Sequence, residues 1–152
     1  MLHHLLREQI LPVSRAEAWD FFSTPRNLDF LTPPDVGFVV RHCLAEKMHE
    51  GQIIGYRIKL APLLWVPWIT EIKGVEDGRA FIDEQRFGPY KFWHHRHIFE
   101  DVPGGVKVTD LVHYMMPMGL IGDLTNTIYA RPKLEQIFDY RARVMAERFG
   151  AR

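Results

Sequence analysis

The residues best suited to chemistry fall in one short stretch, residues 83–99. Within it Trp93, His95, His97 and Phe99 alternate with His94, Arg96 and Ile98. Alternation puts the first four on one face of a strand. Two histidines between two large aromatics make a surface that is both polar and aromatic, which suits the wall of a ligand cavity. Gly88, Pro89 and Tyr90 read as a tight turn that folds residues 81–87 back alongside. A loop of those three residues pairs Phe87 with Lys91, Gln85 with Trp93, Asp83 with His95 and Phe81 with His97. A loop over 102–105 then pairs Asp101 with Val106, His97 with Asp110, His95 with Val112 and Trp93 with Tyr114. Side chains paired across strands share a face and touch. The expected inner wall is therefore Asp83, Gln85, His95, His97 and Asp110, framed by Phe81, Trp93, Phe99 and Tyr114. A slip of one residue in the first hairpin would put Glu84 in place of Asp83.

Three chemistries fit such a group. A histidine and a carboxylate in an apolar cavity form a general acid–base pair, able to move protons in a cyclisation or dehydration. Two histidines and two carboxylates also suit a metal, and the i, i+2 spacing of His95 and His97 lets both reach one ion. The third is a buried hydrogen-bonded network that orders the sheet and gives a pocket its polar end. His95, His97 and Asp110 are the catalytic candidates, with none assigned that role. No metal and no cofactor is assigned. No Ser-His-Asp arrangement, P-loop or GxGxxG pattern is present.

The elements that must position this group follow from periodicity. Residues 3–11 read as a strand ending at Pro12. Ser14 and Glu17 match a capping box at the start of a short helix that carries Ala18, Phe21 and Phe22. Pro25 opens a second short helix with Leu28 and Leu31 as its buried side, and Thr32-Pro33-Pro34 ends it. Residues 37–45 form an apolar strand. Ile54, Tyr56, Ile58 and Leu60 alternate with polar or small residues, and Trp68, Thr70 and Ile72 do the same after Pro62 and Pro67, which should kink the chain. Val108, Asp110, Val112 and Tyr114 share one face of the last strand. Residues 120–149 read as a helix with Leu134, Ile137, Phe138, Val144 and Met145 on its apolar stripe. Pro132 should kink or split it. The basic residues of this helix, Arg141 among them, read as a solvated face.

Consecutive strands joined by short turns must be antiparallel, because parallel pairs need long crossovers. One helix cannot fill the concave side of a curled seven-stranded sheet, so a pocket between sheet and helix is expected. Tyr56, Trp68 and Phe138 are expected in its wall. Trp65 would stand at its mouth or on the surface, and Met115, Met116 and Met118 would form a pliable rim.

Bulk properties narrow the function classes. The chain has 152 residues, room for one domain over 1–152 with a substantial core. It carries 19 Lys plus Arg against 19 Asp plus Glu, so the balance offers no support for nucleic-acid binding. Its single cysteine, Cys43, excludes an internal disulfide. No signal-peptide pattern and no run near the ~20 apolar residues of a membrane span appears, so stable membrane insertion is not expected and a cytoplasmic location is.

Several local patterns recur together. They are Asn27-Leu28 with Thr32-Pro33-Pro34, Gly51, Tyr56, Trp68 with Ile72, and Phe81-x-Asp83-x-Gln85. Gly88-Pro89-Tyr90, Trp93-x-His95-x-His97-x-Phe99, Asp110-x-Val112-x-Tyr114 and Ile137-Phe138-x-Tyr140-Arg141 complete the set. With this element order, the chain resembles the START and birch-pollen-allergen superfamily, SRPBCC, over nearly its whole length. Within it, the set resembles a bacterial subgroup that carries a cyclase/dehydrase label. The resemblance implies an α+β helix-grip fold: a seven-stranded curved antiparallel sheet around a long C-terminal helix, with two short helices between strands 1 and 2. It implies a hydrophobic ligand (lipid, sterol or polyketide) held under that helix. Some members are polyketide cyclases or aromatases. Others are fused to epimerase-like domains labelled cell-division inhibitors, which adds a protein-interaction module as a further reading. The chain ends at Arg152, so such a fused domain is not expected here, and the protein partner is unknown. Pro132 departs from the family pattern.

The reading is a single-domain protein that binds a small hydrophobic or amphipathic molecule. Its ligand-facing residues would be Tyr56, Trp68, Asp83, Gln85, Trp93, His95, His97, Phe99, Asp110, Tyr114 and Phe138. The alternative is a cyclase or dehydratase using a His–Asp pair.

Overall fold

A computed structural model describes residues 1–43, 45–61 and 63–150. Pro62, expected to kink the chain, lies outside the described residues, as does Leu44 within the expected strand at 37–45. Strand β1, His3–Leu11, leads into helix α1, Arg15–Phe22. Ser14 Oγ accepts the Glu17 N–H at 3.2 Å, so the expected cap forms and satisfies one free helix donor. Ala18, Phe21 and Phe22 are buried beneath it. The second short helix, Pro25–Leu31, is a 3-10 helix begun by Pro25. Asn27 Nδ2 donates to the Phe21 carbonyl at 2.9 Å and pins it to the end of α1.

Six strands follow: β2 Phe38–His42, β3 Ile53–Ala61, β4 Leu64–Glu76, β5 Ala80–Phe87, β6 Phe92–Val102 and β7 Gly105–Met115. They form one antiparallel sheet in the order β1-β7-β6-β5-β4-β3-β2, so the first strand closes against the last. β4 begins before Pro67 and runs through it. β5 extends along β4 only as far as Ile69, so Pro67 occupies the open edge where sheets tolerate proline.

The register around the histidines has Asp83 opposite His95, Phe81 opposite His97, His97 opposite Asp110 and Trp93 opposite Tyr114. Two details differ from expectation. The β5–β6 ladder stops at Glu84 opposite His94, so the expected Gln85–Trp93 and Phe87–Lys91 pairs do not form and Lys91 belongs to the turn. The reason is Gln85, whose side chain spans that turn: its Nε2 donates to the Tyr90 carbonyl at 2.6 Å and its Oε1 accepts the Tyr90 N–H at 3.2 Å. At the next hairpin the ladder persists to Val102 opposite Gly105, leaving Pro103 and Gly104 as the turn.

The C-terminal helix runs as α2, Gly119–Thr125, a π-helical turn, Asn126–Ala130, and α3, Arg131–Phe149. Pro132 falls in the first turn of α3, where its missing N–H and its ring are accommodated by the wider turn before it. The turn is held from the sheet: Tyr114 O–H donates to Asn126 Oδ1 at 2.8 Å, both residues buried. Gly122 is obligatory in α2, since a Cβ there would overlap the Pro117 carbonyl oxygen. Among the described residues no helix is long and apolar enough to cross a membrane.

Two apolar clusters hold the helix to the sheet. One gathers Leu11, Phe21, Phe22, Phe81, Phe99 and Met145, and the other Trp93, Val112, Tyr114, Leu134 and Phe138. Along β6 they are separated by His95 and His97, which are buried although polar.

Candidate functional site

A cavity of about 330 Å³ lies between the sheet and the C-terminal helix. Of the expected ligand-facing residues, Tyr56, Trp68, Asp83, Trp93, His95, His97 and Phe138 line it. Gln85, Phe99, Asp110 and Tyr114 do not. Gln85 is turned into the hairpin loop, and Phe99 is packed edge-on against Trp19 at 5.6 Å. Tyr114 is held by Asn126, and Asp110 lies behind the two histidines. Trp65 projects from the outer face of the sheet, over Gly37 and 5.8 Å from the Arg57 guanidinium, away from the cavity lining. Met116 lines the cavity.

The histidines are clamped between two carboxylates. His97 Nε2 lies 2.9 Å from Asp83 Oδ2, and His95 Nε2 lies 2.9 Å from Asp110 Oδ1. The second nitrogen of each ring approaches the other carboxylate: His95 Nδ1 is 3.3 Å from Asp83 Oδ2, and His97 Nδ1 is 3.1 Å from Asp110 Oδ1. The two rings are in contact but tilted, with centroids 3.8 Å apart and planes at 36°, and His97 stacks on Phe81 at 4.3 Å. Trp93 Nε1 donates to Asp83 Oδ1 at 2.9 Å, so both Asp83 oxygens are engaged.

Arg141 completes the group. It is 7% exposed, and its Nη2 lies 3.2 Å from Asp110 Oδ1 and 3.4 Å from His97 Nδ1. Its guanidinium packs over the Phe22 ring at 5.0 Å and the Phe138 ring at 5.8 Å. The expected solvated position is therefore wrong for this residue. The signal was present in the spacing, because Leu134, Phe138 and Arg141 stand at i, i+4 and i+7 on one helix face. Thr70, Lys59, Thr125 and Lys133 are further polar residues of the cavity wall that were not among those expected there.

The partners assign the protons. Asp83 is held ionised and can only accept, so His97 Nε2 donates to it, while His97 Nδ1 lies within reach of both Arg141 Nη2 and Asp110 Oδ1. His95 lies between the two carboxylates. Burial alone would push it down, but Asp83 and Asp110 together hold it above its ordinary value. Burial would raise Asp83; the histidines overcome this and hold it well below the carboxylate range. Asp110 is likewise raised by burial and lowered further by the Arg141 charge and the histidines, for a net shift well down. Each buried carboxylate is thus paired, Asp83 with the two histidines and Asp110 with the histidines and Arg141, the condition under which buried ions persist.

Asp83, His95 and His97 are the residues that could hold a metal, with ligand atoms within 4.8 Å of one another. The fit is incomplete, since His97 Nε2 is hydrogen-bonded to Asp83 Oδ2 along the line an ion would occupy. Asp83 would have to swing aside and that proton leave.

No family model matches the chain, and no curated protein matches it. Solved structures do. Protein CV1439 from Chromobacterium violaceum superposes with a TM-score of 0.71 at 12% identity, covering 99% of this chain and 99% of that one. Major latex-like protein 151 from Panax ginseng gives 0.69 at 11% identity over 97% of each chain. Ara h 8.0201 gives 0.62 at 15% identity, covering 97% of this chain and 99% of its own. At these identities the likeness shows the fold: the chain has the helix-grip fold of the birch-pollen-allergen-like proteins.

Proposed function

We propose that the protein binds a small hydrophobic or amphipathic molecule, lipid-, sterol- or polyketide-like, between the sheet and the C-terminal helix. The observation that carries this reading is the composition of the cavity. Tyr56, Trp68, Trp93, Leu134 and Phe138 provide apolar wall, and Asp83, His95 and His97 provide a polar region on the same surface. Apolar contact supplies affinity, at roughly 25 cal/mol per Å² buried. The polar groups fix orientation. The resemblance to the START and birch-pollen-allergen superfamily supports the same reading. Native mass spectrometry of protein purified from its own host should show one bound small molecule, and neutral Nile red should brighten on binding to the emptied protein. Absence of both effects would sink the proposal.

One observation favours a second reading, a cyclase- or dehydratase-type enzyme. His95 lines the cavity and is held between two carboxylates, a setting that supports acid–base chemistry on a bound molecule. The resemblance to the cyclase/dehydrase-labelled subgroup points the same way. Once a ligand is identified, His95→Gln should retain its binding and lose its turnover. Turnover unchanged in that variant would remove His95 from the reaction.

A further inference from the structure

The cavity wall holds hydrogen-bond donors that nothing among the described residues accepts from with good geometry. Among the described residues Trp68 Nε1 is buried without a hydrogen-bond partner. Thr70 Oγ1, two residues on along the inner face of β4, has only the Tyr56 hydroxyl beside it, with no hydrogen bond of good geometry. An indole N–H can only donate. Arg141 adds more: it carries five donors, and Nη2 alone is engaged, by Asp110 and His97. Its remaining N–H groups make no hydrogen bond among the described residues, and the side chain lines the cavity. A buried indole N–H is rarely left in this condition without a ligand or an ordered water to accept from it.

The carboxylate acceptors, by contrast, are engaged. Asp83 receives Trp93 on one oxygen and His97 on the other. Asp110 is outside the cavity lining and is occupied by His95 and Arg141. The wall therefore has a surplus of donors. A ligand ammonium would meet a saturated carboxylate and the Arg141 cation, while a ligand carboxylate would meet an Arg edge shaped for it.

We infer that the cavity selects an amphipathic monocarboxylate, anchored by Arg141, with Trp68 and Thr70 supplying further donors along the same wall. This rests on the ligand-binding reading above and adds the chemical class of the ligand. Arg141 faces two ways in this arrangement. One edge neutralises Asp110 behind the histidines, and the other receives the ligand.

The test is displacement of Nile red from the full chain by decanoate, methyl decanoate and decylamine at neutral pH. Decanoate should displace the dye at about 10- to 100-fold lower concentration than decylamine, the range expected of a charge-assisted hydrogen-bonded pair. Arg141→Gln should erase that preference and leave methyl decanoate unchanged. Where Arg141→Gln does not fold, Trp68→Phe keeps the ring, removes the N–H and should weaken decanoate several-fold. Equal displacement by acid and amine overturns the inference while leaving the ligand-binding reading in place. So does a preference that survives both substitutions, since water alone would then satisfy the donors. Failure of Nile red and all three probes to bind removes both.

Discussion

His95 stands opposite Val112 in the β6–β7 ladder, yet its Nε2 lies 2.9 Å from Oδ1 of Asp110, the residue opposite His97. The same oxygen is 3.1 Å from His97 Nδ1 and 3.2 Å from Arg141 Nη2. One carboxylate oxygen thus ties two strands to the C-terminal helix. The two histidines share that carboxylate oxygen, so a change at either alters the hydrogen bonding of the other.

Removing that carboxylate should be expensive. Asp110→Ala leaves the Arg141 guanidinium and the His95 proton without their shared partner, and should cost about 3–5 kcal/mol in urea denaturation. Arg141→Met made together with Asp110→Ala should cost less than the sum of the two single changes, since the stranded cation is then gone. A strictly additive double-mutant cycle would show that the pair is not coupled.

Stability should depend on pH at both ends. Asp83 and Asp110 are held below their ordinary 3.8, so their share of stability is present above that value and is lost as pH falls through the lower folded values. His95 is held above its ordinary 6.5, so its share is present below 6.5 and is lost as pH rises through the higher folded value. The groups facing it are Asp83 on β5, His97 on β6, Asp110 on β7 and Arg141 on α3. Tm should therefore be highest between about 4 and 6.5 and decline above that window. His95→Asn should flatten the alkaline decline; an unaltered profile would assign it to another group.

The turn of the C-terminal helix around Asn126 depends on a sheet residue. Tyr114→Phe deletes the 2.8 Å hydrogen bond and leaves a buried amide oxygen unpaired, at a cost of about 1–3 kcal/mol. Ala130 and Tyr129, which belong to that turn, line the cavity, so binding of Nile red should change along with Tm. A drop in Tm with the dye affinity untouched would mean that the turn does not shape the cavity.

Gly122→Ala reverses the usual sign of a helix substitution. Alanine ordinarily stabilises a helix relative to glycine by ~1 kcal/mol. Here the added methyl would overlap the Pro117 carbonyl oxygen and part α2 from the end of β7, so the variant should lose about 1–3 kcal/mol. A more stable variant in thermal unfolding would show that the β7–α2 connection is free to shift.

Much of the site was legible in the chain because strand alternation and turn position are local properties. Trp93, His95, His97 and Phe99 had to share a face, and the turns at Gly88 and Pro103 placed Asp83 and Asp110 beside them. Sharing a face did not settle what each side chain touches. Gln85 has the parity of Asp83, but unpaired backbone groups of the turn capture it. Phe99 and Tyr114 face inward and are taken up by packing and by Asn126.

The amino-acid sequence by itself determined the strands, their antiparallel pairing and the histidine-bearing wall, since these depend on periods of two and on short turns. Tertiary structure alone decided that Arg141 joins the group. It stands 44 residues from His97, and its partner depends on how the long helix is rotated and seated over the sheet. The same docking left a cavity lined by Trp68, Trp93 and Phe138 in place of a filled core, because the curved sheet is wider than one helix can cover. Rotation and depth of docking are set by the packing of both layers together, and no local pattern carries them.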